Sequence, residues 1–200
     1  MRERDLRRIG EQIEPGGRPK APGRLEVLQR FVNTWNHVLP SEWDRLGTPE
    51  KAKSWLVAKK LVSAQARIGP RDAARLRQLR EALRGLVPSG PGVAPDAAAV
   101  QTVRRVAANA MLTVAVHPSG RTALVPRGPG IYGAVAELLA ILHEAQVIGV
   151  WSRFKKCRQC GYAFYDRSKN LSATWCAMAI CGNRTKNRSY RRRKAAVRGL

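Results

Sequence analysis

Apolar side chains recur along the first three-quarters of the chain with the period of α-helices. Leu25, Leu28, Phe31, Val32 and Trp35 follow one another at spacings of three and four, so a helix beginning near Arg24 presents them on one face. A second helix starts sharply at Thr48-Pro49-Glu50. Thr48 can cap it, Pro49 fits a first turn that needs no N–H, and Glu50 favours the positive end of the dipole, while Ala52, Trp55 and Leu56 turn inward. A third, over residues 70–86, places Leu76, Leu79, Leu83 and Leu86 inside and Arg71, Arg75, Arg77, Arg80 and Arg84 mostly outside, by default a solvated face. Residues 88–95 (PSGPGVAP) break the helix, and a fourth helix covers residues 96–110. The period then drops to two: Leu112, Val114 and Val116 alternate, Pro118-Ser119-Gly120 turns, and Thr122 and Leu124 return, which predicts one β-hairpin. A last large helix over residues 131–150, carrying Val135, Leu138, Leu139, Leu142 and Val147, closes the core.

This pattern predicts a mainly α fold with one small β-hairpin. A helical domain over residues 24–150 is preceded by a flexible basic arm, residues 1–23, and followed by a small module, residues 151–200. The arm lacks the apolar core of a secretory signal, and the apolar stretch 131–151 is interrupted by Glu137, His143 and Glu144. The expectation is a cytoplasmic, nucleoid-associated protein with no membrane partner.

Charge changes the picture. Among 200 residues there are 37 Lys and Arg against 14 Asp and Glu, a net charge of +23. Residues 151–200 hold 14 of those cations and a single acid, Asp166. A basic segment of this kind calls for a polyanion, and nucleic acid is the usual one, because binding releases the counterions condensed around phosphates.

The same segment holds all four cysteines, spaced Cys157-x2-Cys160 and Cys176-x4-Cys181 with fifteen residues between the pairs. Two short-spaced pairs across a small loop are what one tetrahedral Zn²⁺ needs, and four thiolates leave no open position for catalysis. The predicted cofactor is therefore one structural Zn²⁺ held by Cys157, Cys160, Cys176 and Cys181. Gly161 suits the turn after the first pair, and Tyr162, Phe164, Tyr165 and Trp175 supply packing around the ion. Lys155, Lys156, Arg158 and Arg184 can offset the excess thiolate charge. No enzyme is expected: His37, His117 and His143 lie far apart, and no nucleophile motif or phosphate-cradling loop is present.

Residues 157–186, CRQCGYAFYDRSKNLSATWCAMAICGNRTK, resemble the zinc finger named for its Cys-Gly-Asn-Arg motif, here Cys181, Gly182, Asn183 and Arg184. Phe31-Val32-Asn33-Thr34, Leu46-x-Thr48-Pro49-Glu50 leading to Trp55-Leu56, and Leu79-Arg80-Glu81-Ala82-Leu83 resemble the helical ABATE domain that accompanies this finger. The resemblance implies a bacterial, stress-induced transcription regulator. The chain departs from it at Ala173 and Thr174, where many relatives carry two arginines before the Trp-Cys pair.

After Cys181 the sequence reads as a helix whose Arg184, Lys186, Arg188, Arg191, Arg192, Arg193 and Lys194 form the candidate nucleic-acid contacts, with Tyr190 and Val197 packing back on the finger. Asn183 is expected to make a structural hydrogen bond to backbone or sulfur rather than to read a base. Asp166 is expected to pair with Arg167, Arg184 or local backbone. The leading function is DNA binding with transcription regulation. RNA binding and a zinc-stabilised protein-interaction module stay open, as do a homodimer through the helical domain and a small-molecule effector, for which no residue speaks.

Overall fold

The computed structural model describes residues 17–88 and 93–198, so the expectations for the first sixteen residues and for the middle of the 88–95 loop lie outside it. In chain order the described elements are α1 (Leu25–Val32), a 3-10 turn (Ser41–Trp43), α2 (Pro49–Ala58), α3 (Pro70–Leu86) and α4 (Ala97–Ala107). There follow β1 (Met111–Val116), β2 (Thr122–Arg127), α5 (Gly130–Val147), a 3-10 turn (Val150–Arg153), β3 (Phe154–Lys156), β4 (Ala163–Tyr165), a π-turn (Met178–Gly182) and α6 (Asn183–Arg198). The mainly α class holds, with one addition. Besides the expected hairpin β1–β2, paired from Met111 with Arg127 to Val116 with Thr122, a second antiparallel hairpin joins β3 and β4.

The helix starts follow their capping chemistry. Thr48 accepts from the Lys51 N–H, Pro49 opens α2, and Asp96 accepts from the N–H groups of Ala98 and Ala99 to start α4. On α3 the Asp72 carboxylate accepts from the Gly69 N–H at 2.9 Å. Leu28, Phe31 and Val32 of α1, Leu56 of α2, Leu76, Leu79 and Leu83 of α3 and Leu138 of α5 meet in one core. Three predicted faces need correction. Trp35 lies beyond the end of α1 and packs elsewhere, Val147 is 69% exposed at the last turn of α5, and of the five α3 arginines expected mostly outside, Arg80 and Arg84 are buried.

Arg80 is 3% exposed and Arg84 8%. Arg80 meets Asp44 at 2.6 Å and Glu81 at 2.7 Å and lies over the Trp35 ring. Arg84 donates to the carbonyls of Val32, Trp35 and Gly161. Arg77 donates to the Leu46 carbonyl at 2.8 Å. Leu28, Phe31 and Val32 turn the end of α1 towards α3, which leaves carbonyls at the α1 terminus that need donors, and long guanidinium side chains reach them.

The hairpin β3–β4 packs into this domain. Phe154, Ala163 and Tyr165 belong to the helical core. Asn33, buried at the end of α1, treats Ala163 as a strand neighbour would. Its amide donates to the Ala163 carbonyl at 2.8 Å and accepts from the Ala163 N–H at 2.9 Å, and Gln29 adds a bond to the same carbonyl. The edge of β4 is thus satisfied by side chains in place of a third strand. Gly149, at φ 76, makes the turn from α5 into this region.

Candidate metal centre and basic helix

The site begins at hairpin β3–β4. Cys157 directly follows β3, its N–H donating to the Tyr162 carbonyl at 2.9 Å, and the Gly161 N–H returns to the Cys157 carbonyl at 2.9 Å. This tight loop holds Cys157 and Cys160 side by side and requires Gly161 at φ 70, where a Cβ would also lie 3.0 Å from the His37 ring. The second pair comes from the opposite side. Cys176 ends the loop after β4, and Cys181 sits in the π-turn that leads into α6, its N–H bonded to the Ala177 carbonyl at 2.9 Å.

All four cysteines are buried, and their sulfurs lie within 4.8 Å of one another. The Cys160–Cys176 and Cys176–Cys181 Sγ distances are both 3.6 Å. A tetrahedral Zn²⁺ with Zn–S bonds of ~2.3 Å sets its sulfurs ~3.8 Å apart, close to these two separations and inside the 4.8 Å that encloses all four sulfurs. With protons instead of metal the four thiols compete. Hydrogen bonds from Cys160 and its neighbours hold Cys157 far below the ordinary thiol range, and the same contact with Cys157 drives Cys160 and Cys176 far above it. A divalent cation removes that conflict by allowing all four to ionise.

The packing around the cluster comes from two distant stretches. Tyr162 and Phe164 are fully buried there, and Trp35, Val38, Leu39 and Trp43, from the segment after α1, complete the shell. Arg18, at the described end of the amino-terminal arm, closes it: Nε donates to the Cys176 carbonyl at 2.6 Å, Nη2 to the Trp175 carbonyl at 3.1 Å, and the guanidinium lies over the Phe164 ring. Sequence reasoning missed both contributions, because neither stretch carries a local sign of its remote partner.

Asp166 is fully buried, and its partner is Lys155, at 2.8 Å, rather than an arginine. It also accepts from the N–H groups of Ser168 and Ala173, at 2.9 and 3.0 Å. Burial opposes its charge, but Lys155 and these donors win and lower its pKa to about 2. Lys155 is therefore committed to Asp166 and to the Leu171 carbonyl, and does not serve as a counter-charge for the thiolates.

Beyond Cys181 the character reverses. Arg184, Lys186, Arg188, Arg191, Arg192, Arg193 and Lys194 are all exposed on α6, and among the described residues none of them forms an ion pair or a side-chain hydrogen bond within the chain. Tyr190 is 59% exposed and so is not buried against the finger, although it lines one cavity with Trp175; the Val197 side chain lies outside the described residues. Asn183 is exposed as well and makes no side-chain bond among the described residues. What anchors the helix is Thr185, whose hydroxyl donates to the Cys181 carbonyl at 3.0 Å. The metal ligands thus come together as expected, and the basic residues share one free rod.

Among the described residues no helix is long and apolar enough to cross a membrane. No curated protein matches the chain. Two family models do: ABATE, described as "Putative stress-induced transcription regulator", over residues 25–146, and the CGNR zinc finger over residues 153–194. Both are of a regulatory or zinc-binding kind and neither is an enzyme family. The chain belongs to the ABATE family, and its four cysteines form, in a carboxy-terminal CGNR finger, the site of one structural zinc ion.

Proposed function

We propose that this protein is a DNA-binding transcription regulator that contacts the duplex through α6. The observation that carries the reading is the free state of the α6 cations. Seven Lys and Arg side chains, from Arg184 to Lys194, are exposed without an acid to pair with among the described residues, on a helix that starts two residues after the metal ligand Cys181. Sixteen residues of α-helix span ~24 Å at a diameter of ~10–12 Å, and the major groove of B-DNA is ~12 Å wide. Arg184, Arg188 and Arg191 follow one another at spacings of four and three and make one stripe for phosphates, with Asn183 and Asn187 one turn apart beside it. The zinc fixes the start of α6, so the stripe meets DNA at a set angle to the rest of the molecule. Double-stranded RNA suits this rod less well, because the A-form major groove is too narrow for a helix.

The test is fluorescence anisotropy of the zinc-loaded chain against labelled duplex DNA, double-stranded RNA and single strands over a series of salt concentrations. With ~5 phosphates neutralised, log K against log salt should fall with a slope near −4 to −5 for DNA. A stronger preference for RNA, or no binding of any polymer at low salt, would remove this reading.

A further inference from the structure

A pocket of about 270 Å³ lies where α3, α4 and the start of α5 meet. Its lining joins three aliphatic side chains, Val106, Ile131 and Val135, to two guanidinium groups, Arg75 of α3 and Arg105 of α4. Ile131 belongs to the helical core, and Val106 and Val135 pack against that core, so the apolar part of the wall is a firm one. Pockets that enclose drug-sized ligands measure ~300–1,000 Å³, and one just below that range suits a small metabolite rather than a dinucleotide.

The charge of this lining has one sign, for it contains no acid. Arg75 donates to the Tyr132 hydroxyl at 3.4 Å and Arg105 to the Thr102 hydroxyl at 3.2 Å, and among the described residues neither forms an ion pair. A hydroxyl takes one N–H of a guanidinium and cancels none of its charge. The acids of the surrounding helices are engaged elsewhere. Asp72 holds the Gly69 N–H, Glu81 pairs with Arg80 and Arg84, Asp96 caps α4, and Glu137 and Glu144 pair with Arg24. The first turn of α5, which supplies Ile131 to the wall, adds to the same sign, because no side chain caps it and no acid lies in it. Two uncompensated cations beside a firm apolar wall call for a ligand that is anionic at one end and apolar at the other.

We propose that this pocket binds a small organic carboxylate with an apolar body, Arg75 and Arg105 holding the carboxylate and Val106, Ile131 and Val135 the body. A guanidinium matches a carboxylate with two parallel N–H···O bonds. The apolar body separates such a ligand from inorganic anions and from a nucleic-acid backbone, which offer charge without it. No residue of α6 lines the pocket, so the proposal stands or falls apart from DNA binding.

The test is isothermal calorimetry of the zinc-loaded full chain, free of DNA, titrated with benzoate and with hexanoate in chloride buffer of ~0.15 M, where surface charges are screened beyond ~8 Å. Acetate keeps the charge without the body, and benzamide keeps the ring without the charge. The expected result is saturable binding of benzoate or hexanoate at one site per chain, with both control compounds at least about tenfold weaker, a difference of ~1.4 kcal/mol. Arg75 and Arg105 are exposed, so Arg75→Gln and Arg105→Gln should leave the thermal midpoint of the unliganded chain in place while each weakens binding about tenfold. Arg71→Gln, an exposed change on the same helix outside the pocket, should leave binding as it is. Absence of saturable binding, an acetate affinity equal to that of the larger acids, or an Arg71→Gln effect as large as those of the two pocket variants would overturn the proposal.

Discussion

Helices α3 and α6 are both rich in arginine, yet they use it in opposite ways. On α3, Arg77, Arg80 and Arg84 reach back over the domain to carbonyls and carboxylates, and two of the three are almost wholly buried. On α6 every described cation from Arg184 to Lys194 is exposed and has no partner among the described residues. A guanidinium that finds acceptors inside the molecule holds the molecule together. One that finds none keeps its full charge for something outside. The number of arginines on a helix therefore says little until their acceptors have been located.

Removing the metal should have the largest effect. Cys176→Ser, or complete chelation of the wild type, should unfold the finger, because structural zinc contributes apparent binding free energies of ~10 kcal/mol or more. Since Phe154, Ala163 and Tyr165 lie in the helical core, the thermal midpoint of the whole chain should fall with it, and calorimetry should show one coupled transition, not an untouched helical domain. An unaltered second transition would break the view that the two parts are one body.

Arg80→Ala comes next. It leaves Asp44 buried without its partner and should cost ~3–5 kcal/mol in urea unfolding. The double change Arg188→Ala with Arg191→Ala is its mirror image. Stability should stay within ~0.5 kcal/mol, while the salt slope of DNA binding shrinks by roughly 2. If the double variant unfolds easily and Arg80→Ala does not, the contrast between the helices is wrong.

A smaller effect is expected at Asp166, whose pKa falls from 3.8 to about 2 on folding. The sign follows from linkage: a carboxylate favoured in the folded state stabilises above its unfolded pKa and loses that contribution as pH drops towards the folded value. Asp166→Asn should therefore be less stable than wild type at neutral pH by on the order of 1–2 kcal/mol, with the gap closing between about pH 4 and pH 2 in paired acid-unfolding curves. Arg71→Ala, at an exposed α3 arginine with no side-chain partner among the described residues, should change neither stability nor DNA affinity measurably. It separates partnered arginines from arginines in general.

Features that depend on neighbours along the chain were legible in the sequence. The four zinc ligands are close in sequence and chemically distinctive, the start of α2 is written in three consecutive residues, and the alternation over β1 and β2 is six residues long in each strand. What escaped is non-local. β3 and β4 are three residues each, too short to show a period, and Lys155 and Lys156 hide the first of them behind charge. The burial of Arg80 and Arg84 depends on Asp44 and on carbonyls at the end of α1, which helical periodicity on α3 does not encode. The same holds for Trp35 and Leu39, which read as members of a helical domain and serve the metal module.

The bonds from Asn33 and Gln29 to Ala163, and from Arg18 to Cys176, set an order of events in the cell. These partners are separated by 130 residues or more, so α1 leaves the ribosome long before the strand that completes it has been translated. Until that strand arrives and its metal is captured, two amides and an apolar surface remain open to proteases and to other nascent chains. When zinc is scarce that interval lengthens, and with it the exposure of the unfinished surface.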